Sequence, residues 1–145
     1  MIELSAMLLG QIVGVLLWSA VINAPILQWR ARTLRNWYIK YKHAYMISIK
    51  AGFVALIVGD AAVLSIAFSG NTNEQFLKLV GFAFGITSWW FAHSSALLKL
   101  ADSTDSLTVK EARSISTSVI GYLIAGLFAL VLVVGLIASV VSTLK

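Results

Sequence analysis

Four long apolar runs dominate the chain, and short polar stretches separate them. Each run has about the 20 mostly apolar residues that a helix needs to cross a bilayer. The pattern predicts an all-α, polytopic integral membrane protein: a single membrane domain, residues 1–145, folded as a four-transmembrane-helix bundle. The predicted helices cover residues 4–27, 44–68, 76–98 and 109–142.

Two of the predicted helices carry local signals at their ends. Thr108 and Glu111 have the spacing of a capping box, in which each side chain bonds the backbone N–H of the other residue. This spacing predicts a helix start near Val109, ahead of the apolar run itself. Gly70 follows the second run, at a place where a glycine with a left-handed backbone commonly ends a helix.

Basic residues are distributed unevenly over the connections. The first connection, residues 28–43, contains Arg30, Arg32, Arg35, Lys40 and Lys42. The connection between the second and third runs contains only Lys78. Short connections rich in Lys and Arg stay in the cytoplasm, so we expect a multi-pass protein of the cell membrane with both termini on the non-cytoplasmic side. The five basic residues are candidates for binding anionic lipid headgroups, with an acidic partner domain as the alternative.

Composition narrows the chemistry that the chain can perform. Hydrophobic residues make up 59% of it, the net charge is +5, and cysteine is absent. The lack of cysteine excludes disulfides, thiolate metal sites and cysteine nucleophiles in this chain. We find no nucleophile elbow, phosphate-binding loop or metalloprotease helix, and therefore expect no autonomous enzyme, cofactor or metal site. The positive charge lies beside apolar runs, which favours lipid over nucleic acid as the partner.

Small residues recur four apart on every predicted helix. Such stripes let helix backbones approach closely inside a bilayer, where lipid tails remove any drive to bury apolar surface. The packing positions predicted in this way are Gly10, Gly14, Ala55, Gly59, Gly81, Gly85, Gly121 and Ala125. Four helices share a limited interior, so this surplus of contact faces favours self-association or assembly with other membrane subunits.

Asp60 is the polar residue with the strongest functional signal, because it lies near the middle of the second run. A carboxylate at that depth is costly and usually faces protein or water. One interpretation is a protonated acid that bonds a neighbouring helix, with Ser19 and Ser88 at similar depth. Ion or proton handling and contact with a partner chain are the alternatives.

His93 and Asn23 form a second group of polar candidates, together with Pro25. A lone histidine without a visible second ligand is a weak metal signal, so a hydrogen bond between helices is the simpler interpretation. Pro25 lacks an N–H and leaves the carbonyl near Val21 without its usual partner. A bend there would open a small polar pocket shared by Asn23 and His93.

The two halves of the chain do not suggest an internal repeat. The first and second runs do not resemble the third and fourth at matching positions. The inverted repeats of many transporters are therefore not expected.

Three functions are compatible with these observations. The leading hypothesis is a small non-catalytic subunit of a multi-subunit membrane complex, such as a respiratory or membrane-oxidase assembly. The alternative is a small homo-oligomeric channel, or a proton- or ion-coupled transporter that uses Asp60. A third hypothesis is a membrane-surface module that recruits lipid or a partner through residues 30–42.

Overall fold

The computed structural model describes residues 2–70, 73–101 and 107–143, and every regular element in this part of the chain is a helix. The first apolar run forms one helix that contains a π-helical turn. The elements, in chain order, are α1 (Ile2–Trp18), the π turn (Ser19–Asn23), α2 (Ala24–Arg35), α3 (Tyr41–Phe68), α4 (Glu74–Ala101) and α5 (Val109–Thr143). Each predicted span lies inside one of these helical stretches.

Three stretches of the described residues are long and apolar enough to cross a membrane: Leu9–Arg35, Tyr41–Phe68 and Val109–Gly135. The helix α4 is as long as α3, at 28 residues. Polar residues such as Ser88 and His93 interrupt its apolar sequence and lower its hydropathy. The prediction of an all-helical membrane protein is thus supported by three helices that can span a bilayer.

The predicted signals at the helix ends are confirmed. The backbone N–H of Thr108 donates to Glu111 Oε2 at 2.9 Å, and the N–H of Glu111 donates to Thr108 Oγ1 at 3.3 Å. This capping box starts α5 at Val109. Gly70 has a φ of 93°, in the left-handed region that suits glycine.

The helices are arranged as a square that is closed at one end. Its sides are α1/α2 against α3, α3 against α4, α4 against α5, and α5 back against α2 and the π turn. The fully buried side chains lie mostly at the end where α2 leads into α3 and α4 leads into α5, and we call this the basic end. Towards the opposite end, α1 packs on α3 alone, and no contact joins α1 to α5 in the described part of the chain.

The tightest contact in the bundle is between α3 and α4, where helix backbones touch. A Cβ atom added to Gly59 would lie 2.9 Å from the carbonyl oxygen of Gly81. A Cβ added to Gly85 would lie 3.4 Å from the carbonyl oxygen of Ala55. Glycine at these positions removes the side chain that would otherwise separate the helices.

The burial pattern reveals an internal repeat, so the expectation of no repeat is wrong. The buried residues of α1/α2 recur in α4 at one constant separation along the chain. The pairs are Ser19 and Trp89, Asn23 and His93, Ala24 and Ser94, Leu27 and Leu97, and Ala31 and Ala101. Those of α3 recur in α5 in the same way: Ala44 and Ala112, Ile47 and Ile115, Ser48 and Ser116, and Ala51 and Val119.

The sequence carries a trace of the same repeat at the starts of α3 and α5. Both begin with the pattern Lys-x-Ala-x-x-Ile-Ser, at residues 42–48 and 110–116. Because both halves run in the same direction, helix followed by helix, they are related by a pseudo-twofold axis along the bundle. This is the parallel form of repeat rather than the inverted one.

Candidate binding cavity

The π turn follows from the position of Pro25. The N–H of Ala24 donates to the carbonyl of Ser19, five residues back, which is the π-helical spacing. In that register the next donor would bond the carbonyl of Ala20, but Pro25 has no N–H. The hydroxyl of Tyr41 supplies the missing donor and bonds Ala20 O at 2.7 Å. The carbonyl that Pro25 releases is therefore that of Ala20, one residue earlier than the sequence suggested.

This contact yields a direct prediction for Tyr41→Phe. Removing the hydroxyl leaves Ala20 O without a donor, and we expect a loss of about 0.5–1.5 kcal/mol of stability. In a Pro25→Ala background, which restores a backbone donor, the same substitution should cost less. Thermal unfolding in detergent measures both values, and Tyr45→Phe, whose ring stacks on Tyr41 at 6.1 Å, is the matched control. Equal losses in both backgrounds would contradict the assignment.

A cavity of about 710 Å³ lies between the four sides of the bundle. Symmetry-related positions line it in pairs: Gln11 and Gly81, Val15 and Gly85, Ser19 and Trp89, Gly52 and Ile120, Ala55 and Leu123, and Leu56 and Ile124. The cavity is therefore centred on the pseudo-twofold axis. Gly14, Trp18, Asn23, Gly59, Asp60, Phe82 and Ile86 complete the wall.

The polar groups of this cavity come almost entirely from the first half of the chain. Asp60 is the only charged residue that lines it, and its carboxylate makes no hydrogen bond or ion pair within the described residues. The side-chain oxygens of Gln11 and Asn23 are buried without a hydrogen-bond partner. Asn23 is only 3% exposed. Buried polar atoms in folded proteins nearly always have a partner, so each of these two oxygens indicates a position where a ligand or water can bind.

His93 belongs to a separate buried network. Its Nδ1 lies 2.8 Å from Ser116 Oγ, and Ser94 Oγ donates to the same oxygen at 3.0 Å. Ser116 in turn donates its single proton to Ala112 O at 3.0 Å. The Nδ1 of His93 must then be the donor to Ser116, which leaves Nε2 as an acceptor. That nitrogen is buried and has no partner.

The structure does not bring His93 and Asn23 into one pocket. Asn23 lines the central cavity, whereas His93 lies behind Trp89. The indole of Trp89 forms part of the cavity wall and stacks on the His93 ring, with the ring centroids 4.3 Å apart. The two polar residues are nevertheless related, since they occupy equivalent positions in the two halves.

The remaining candidates from the sequence divide by position. Ser19 lines the cavity, and Ser88 instead donates to the carbonyl of Gly85 at 2.9 Å.

The stripes of small residues on α3 and α4 face each other within the chain. A Cβ added to Gly10, Gly14 or Gly121 would meet nothing within 4 Å, and Ala125 is exposed. Whether these open positions pack on another chain stays a prediction.

The first basic connection is more ordered than its composition suggests. Its first half is helical as part of α2, and two of its five charges are used inside the chain. Arg30 donates to Ser118 Oγ at 3.1 Å and lies 5.3 Å from each of the Trp29 and Tyr122 rings. Arg35 pairs with Glu111 at 2.8 Å. Arg32, Lys40 and Lys42 are exposed and stay candidates for lipid headgroups.

Sequence reasoning missed Gln11, Ser48, Ser94 and Ser116. Gln11 had a usable signal, because an amide inside an apolar run is unusual in the same way as Asp60. The three serines had a weaker one, since serine is tolerated in membrane helices when its hydroxyl bonds a backbone carbonyl. The repeated Ile-Ser pair was the only mark that two of them share.

Comparison with known proteins adds no analogy to these observations. No protein-family model, curated protein or solved structure matches this chain. Among the described residues, no group of three or more His, Cys, Asp and Glu residues is placed to hold a metal ion. The central cavity, with its unpaired acid and two unpartnered amide oxygens, is therefore the candidate site on which a function can be argued.

Proposed function

We propose that the chain crosses the cell membrane four times, with α4 as the fourth span and both termini on the non-cytoplasmic side. The close packing of α4 on α3 supports this topology. The buried side chains of α4 include two polar ones from the middle of its apolar sequence, His93 and Ser94, at 0% and 6% exposure. These two side chains face protein, which is how membrane helices accommodate such residues.

The proposed topology can be tested with single cysteines, because the chain has none of its own. Asn73→Cys should react with a membrane-impermeant thiol reagent in intact cells, whereas Tyr38→Cys should react only after permeabilisation. Both residues are exposed at opposite ends of the bundle. The reverse labelling pattern would mean that the orientation is inverted.

We propose further that the protein is a small carrier that binds a cation at Asp60 in exchange for a proton. The observation that carries this proposal is an unpaired carboxylate that lines a central cavity on the axis between two parallel repeats. An ionised carboxylate inside a bilayer is costly unless a cation or a proton neutralises it. Among the described residues that line the cavity, none beside Asp60 is basic, so in this proposal the neutralising charge comes from outside the protein.

Exchange follows from this requirement. If a bound cation leaves, a proton can take its place on the carboxylate, and the cavity remains electrically neutral in both states. Cation binding then releases a proton, and proton binding releases the cation. The sites of transporters built from repeats lie near the bilayer midplane at the interface between the repeats. This cavity likewise lies between the two repeats, and the proposed topology would place it near the midplane.

The substitution Asp60→Asn tests the proposal, because it keeps the size of the side chain and removes its charge. The wild-type protein would be reconstituted in liposomes that contain a pH-sensitive dye and are loaded at acidic pH. We expect external Na⁺, K⁺ or decyltrimethylammonium to drive proton efflux, and Asp60→Asn to reduce that efflux to the level of empty liposomes. Glu74→Gln, at an exposed acid paired with Lys78 on the surface, is the matched control.

The test also has a clear negative result. If none of the three cations drives proton movement through a correctly folded wild-type protein, the carrier proposal is wrong. Flux that persists in Asp60→Asn would remove Asp60 from the mechanism. Circular dichroism of each preparation ensures that folded proteins are compared.

A second candidate function is the non-catalytic subunit of a larger membrane complex. The glycines Gly10 and Gly121 favour it, since an added Cβ at either position would meet nothing within 4 Å among the described residues and small residues are the usual means of close helix association. Purification in mild detergent followed by mass spectrometry distinguishes the two functions. Foreign subunits bound in stoichiometric amounts would favour the complex, and a chain found alone or with copies of itself would favour the carrier.

A further inference from the structure

The central cavity is open sideways, and the pseudo-symmetry explains why. The tight contact between α3 and α4 depends on Gly81 and Gly85. Their counterparts on the symmetry-related side, between α5 and α1, are Gln11 and Val15. Larger side chains on α1 therefore occupy the positions where glycine lets α3 and α4 meet, and α1 and α5 make no contact in the described residues.

In the proposed topology this opening faces the bilayer rather than water. It lies between two helices that expose large apolar side chains, among them Leu9, Val13 and Phe128. A molecule dissolved in the lipid phase can reach the cavity through such a gap without crossing a polar surface. The opening thus selects for solutes that already have an apolar body.

The chemistry inside the cavity selects for positive charge. Among the described residues, Asp60 is the only ionisable one in the wall, and no Lys, Arg or His lines it. The rings of Trp18, Phe82 and Trp89 also line the cavity, and aromatic faces attract cations, most strongly those of Trp. The remaining wall is apolar apart from Gln11, Ser19 and Asn23, whose amides and hydroxyl are neutral.

We infer that the central cavity is a binding site for organic cations with an apolar body, which enter from the bilayer through the gap between α1 and α5. The inference rests on the proposed function, because it names the class of cation that the carrier holds. The charged group lies near Asp60, and the apolar part fills the remaining volume. A volume of about 710 Å³ is in the range of sites for small organic ligands.

Two glycines of α1 provide a matched pair of variants. Gly14 lines the cavity and Gly10 does not, and an added Cβ would meet nothing within 4 Å at either position. An added Cβ is therefore accommodated at both sites, and we expect only Gly14→Phe to place its ring inside the cavity. The comparison separates occupation of the site from any general effect of a bulky residue on α1.

The experiment is calorimetric titration of the full chain in lipid nanodiscs, with empty nanodiscs subtracted to remove partition into lipid. The probe is decyltrimethylammonium. We expect tetramethylammonium, which lacks the tail, to bind more weakly by about a hundredfold or more, since buried methylene groups add to affinity. We expect decanoate, which has the tail and the opposite charge, not to bind.

The variants complete the test. Gly14→Phe should abolish binding of decyltrimethylammonium, Gly10→Phe should leave it unchanged, and Asp60→Asn should weaken it by about tenfold or more. Equal binding of decanoate, or full affinity in Gly14→Phe, would overturn the inference. If decyltrimethylammonium did not bind but Na⁺ still drove proton exchange, this inference would fail and the carrier proposal would stand. If decyltrimethylammonium bound but no cation drove proton exchange, the binding site would stand and the carrier proposal would be refuted.

Discussion

Replacing Gly59 with alanine is expected to destabilise the bundle by about 1–3 kcal/mol, the usual cost of inserting a methyl group into a close-packed contact. The added Cβ would lie 2.9 Å from the carbonyl oxygen of Gly81. That oxygen belongs to the backbone of α4 and bonds within its own helix. It cannot turn aside as a side chain would, so α3 and α4 would have to move apart.

Gly121→Ala is the control for this substitution, because an added Cβ there meets nothing within 4 Å. Both variants exchange the same residue types inside a helix, so they share the gain in intrinsic helix propensity. Unfolding by a graded detergent titration, followed by circular dichroism, gives the two free energies. If Gly59→Ala were as stable as Gly121→Ala, the backbone contact between α3 and α4 would not contribute as described.

Ser116→Ala is expected to destabilise the protein by about 1–3 kcal/mol, because it removes the common partner of two buried groups. His93 Nδ1 and Ser94 Oγ both bond Ser116 Oγ. With alanine in its place, the N–H of a histidine with 0% exposure would lose its acceptor. The cost of leaving a buried donor unpaired exceeds the net value of an ordinary hydrogen bond.

The pseudo-symmetry supplies the control for this prediction. Ser48 occupies the equivalent position in the first half and is equally buried, yet its hydroxyl has no hydrogen-bond partner. Ser48→Ala removes an unsatisfied polar group and should be neutral or stabilising. The same unfolding titration measures both variants. If Ser48→Ala lost as much stability as Ser116→Ala, the hydrogen bonds to Ser116 would not explain the cost of replacing it.

Several parts of the fold were predictable because they depend on local signals. The capping box at Thr108 and Glu111 and the left-handed Gly70 involve residues close in sequence, and such contacts form whatever the rest of the chain does. The long helices could be predicted because the apolar runs have the length that is needed to cross a bilayer. These features need no knowledge of which helices are neighbours.

The repeat was harder to predict for a physical reason. In a soluble helix the buried face is apolar and the exposed face is polar, so burial can be read from the sequence. In a bilayer both faces are apolar, and the positions of Leu27 and Leu97 look like any other leucine. Only the short Lys-x-Ala-x-x-Ile-Ser pattern showed how the two halves align, and its two copies differ at all three positions marked x.

The site was predictable in part. The depth of Asp60 followed from its place in the apolar run, but the direction of its side chain depends on which helices surround α3. The carbonyl released by Pro25 was assigned near Val21 on the assumption of α-helical spacing. The π turn shifts that spacing by one residue, and the donor to the released carbonyl, Tyr41, lies near the far end of the basic connection.

The covalent link between the two repeats has one more consequence. A dimer of identical two-helix hairpins would have to place two copies of Asp60 around the same central cavity. Two like charges at close range in a medium of low polarity repel strongly, and both cannot ionise together. In the single chain, Phe128 stands at the position equivalent to Asp60. Because the two halves are joined in one chain, their sequences can differ, and the cavity can hold one carboxylate instead of two. A single positive charge is then enough to neutralise it.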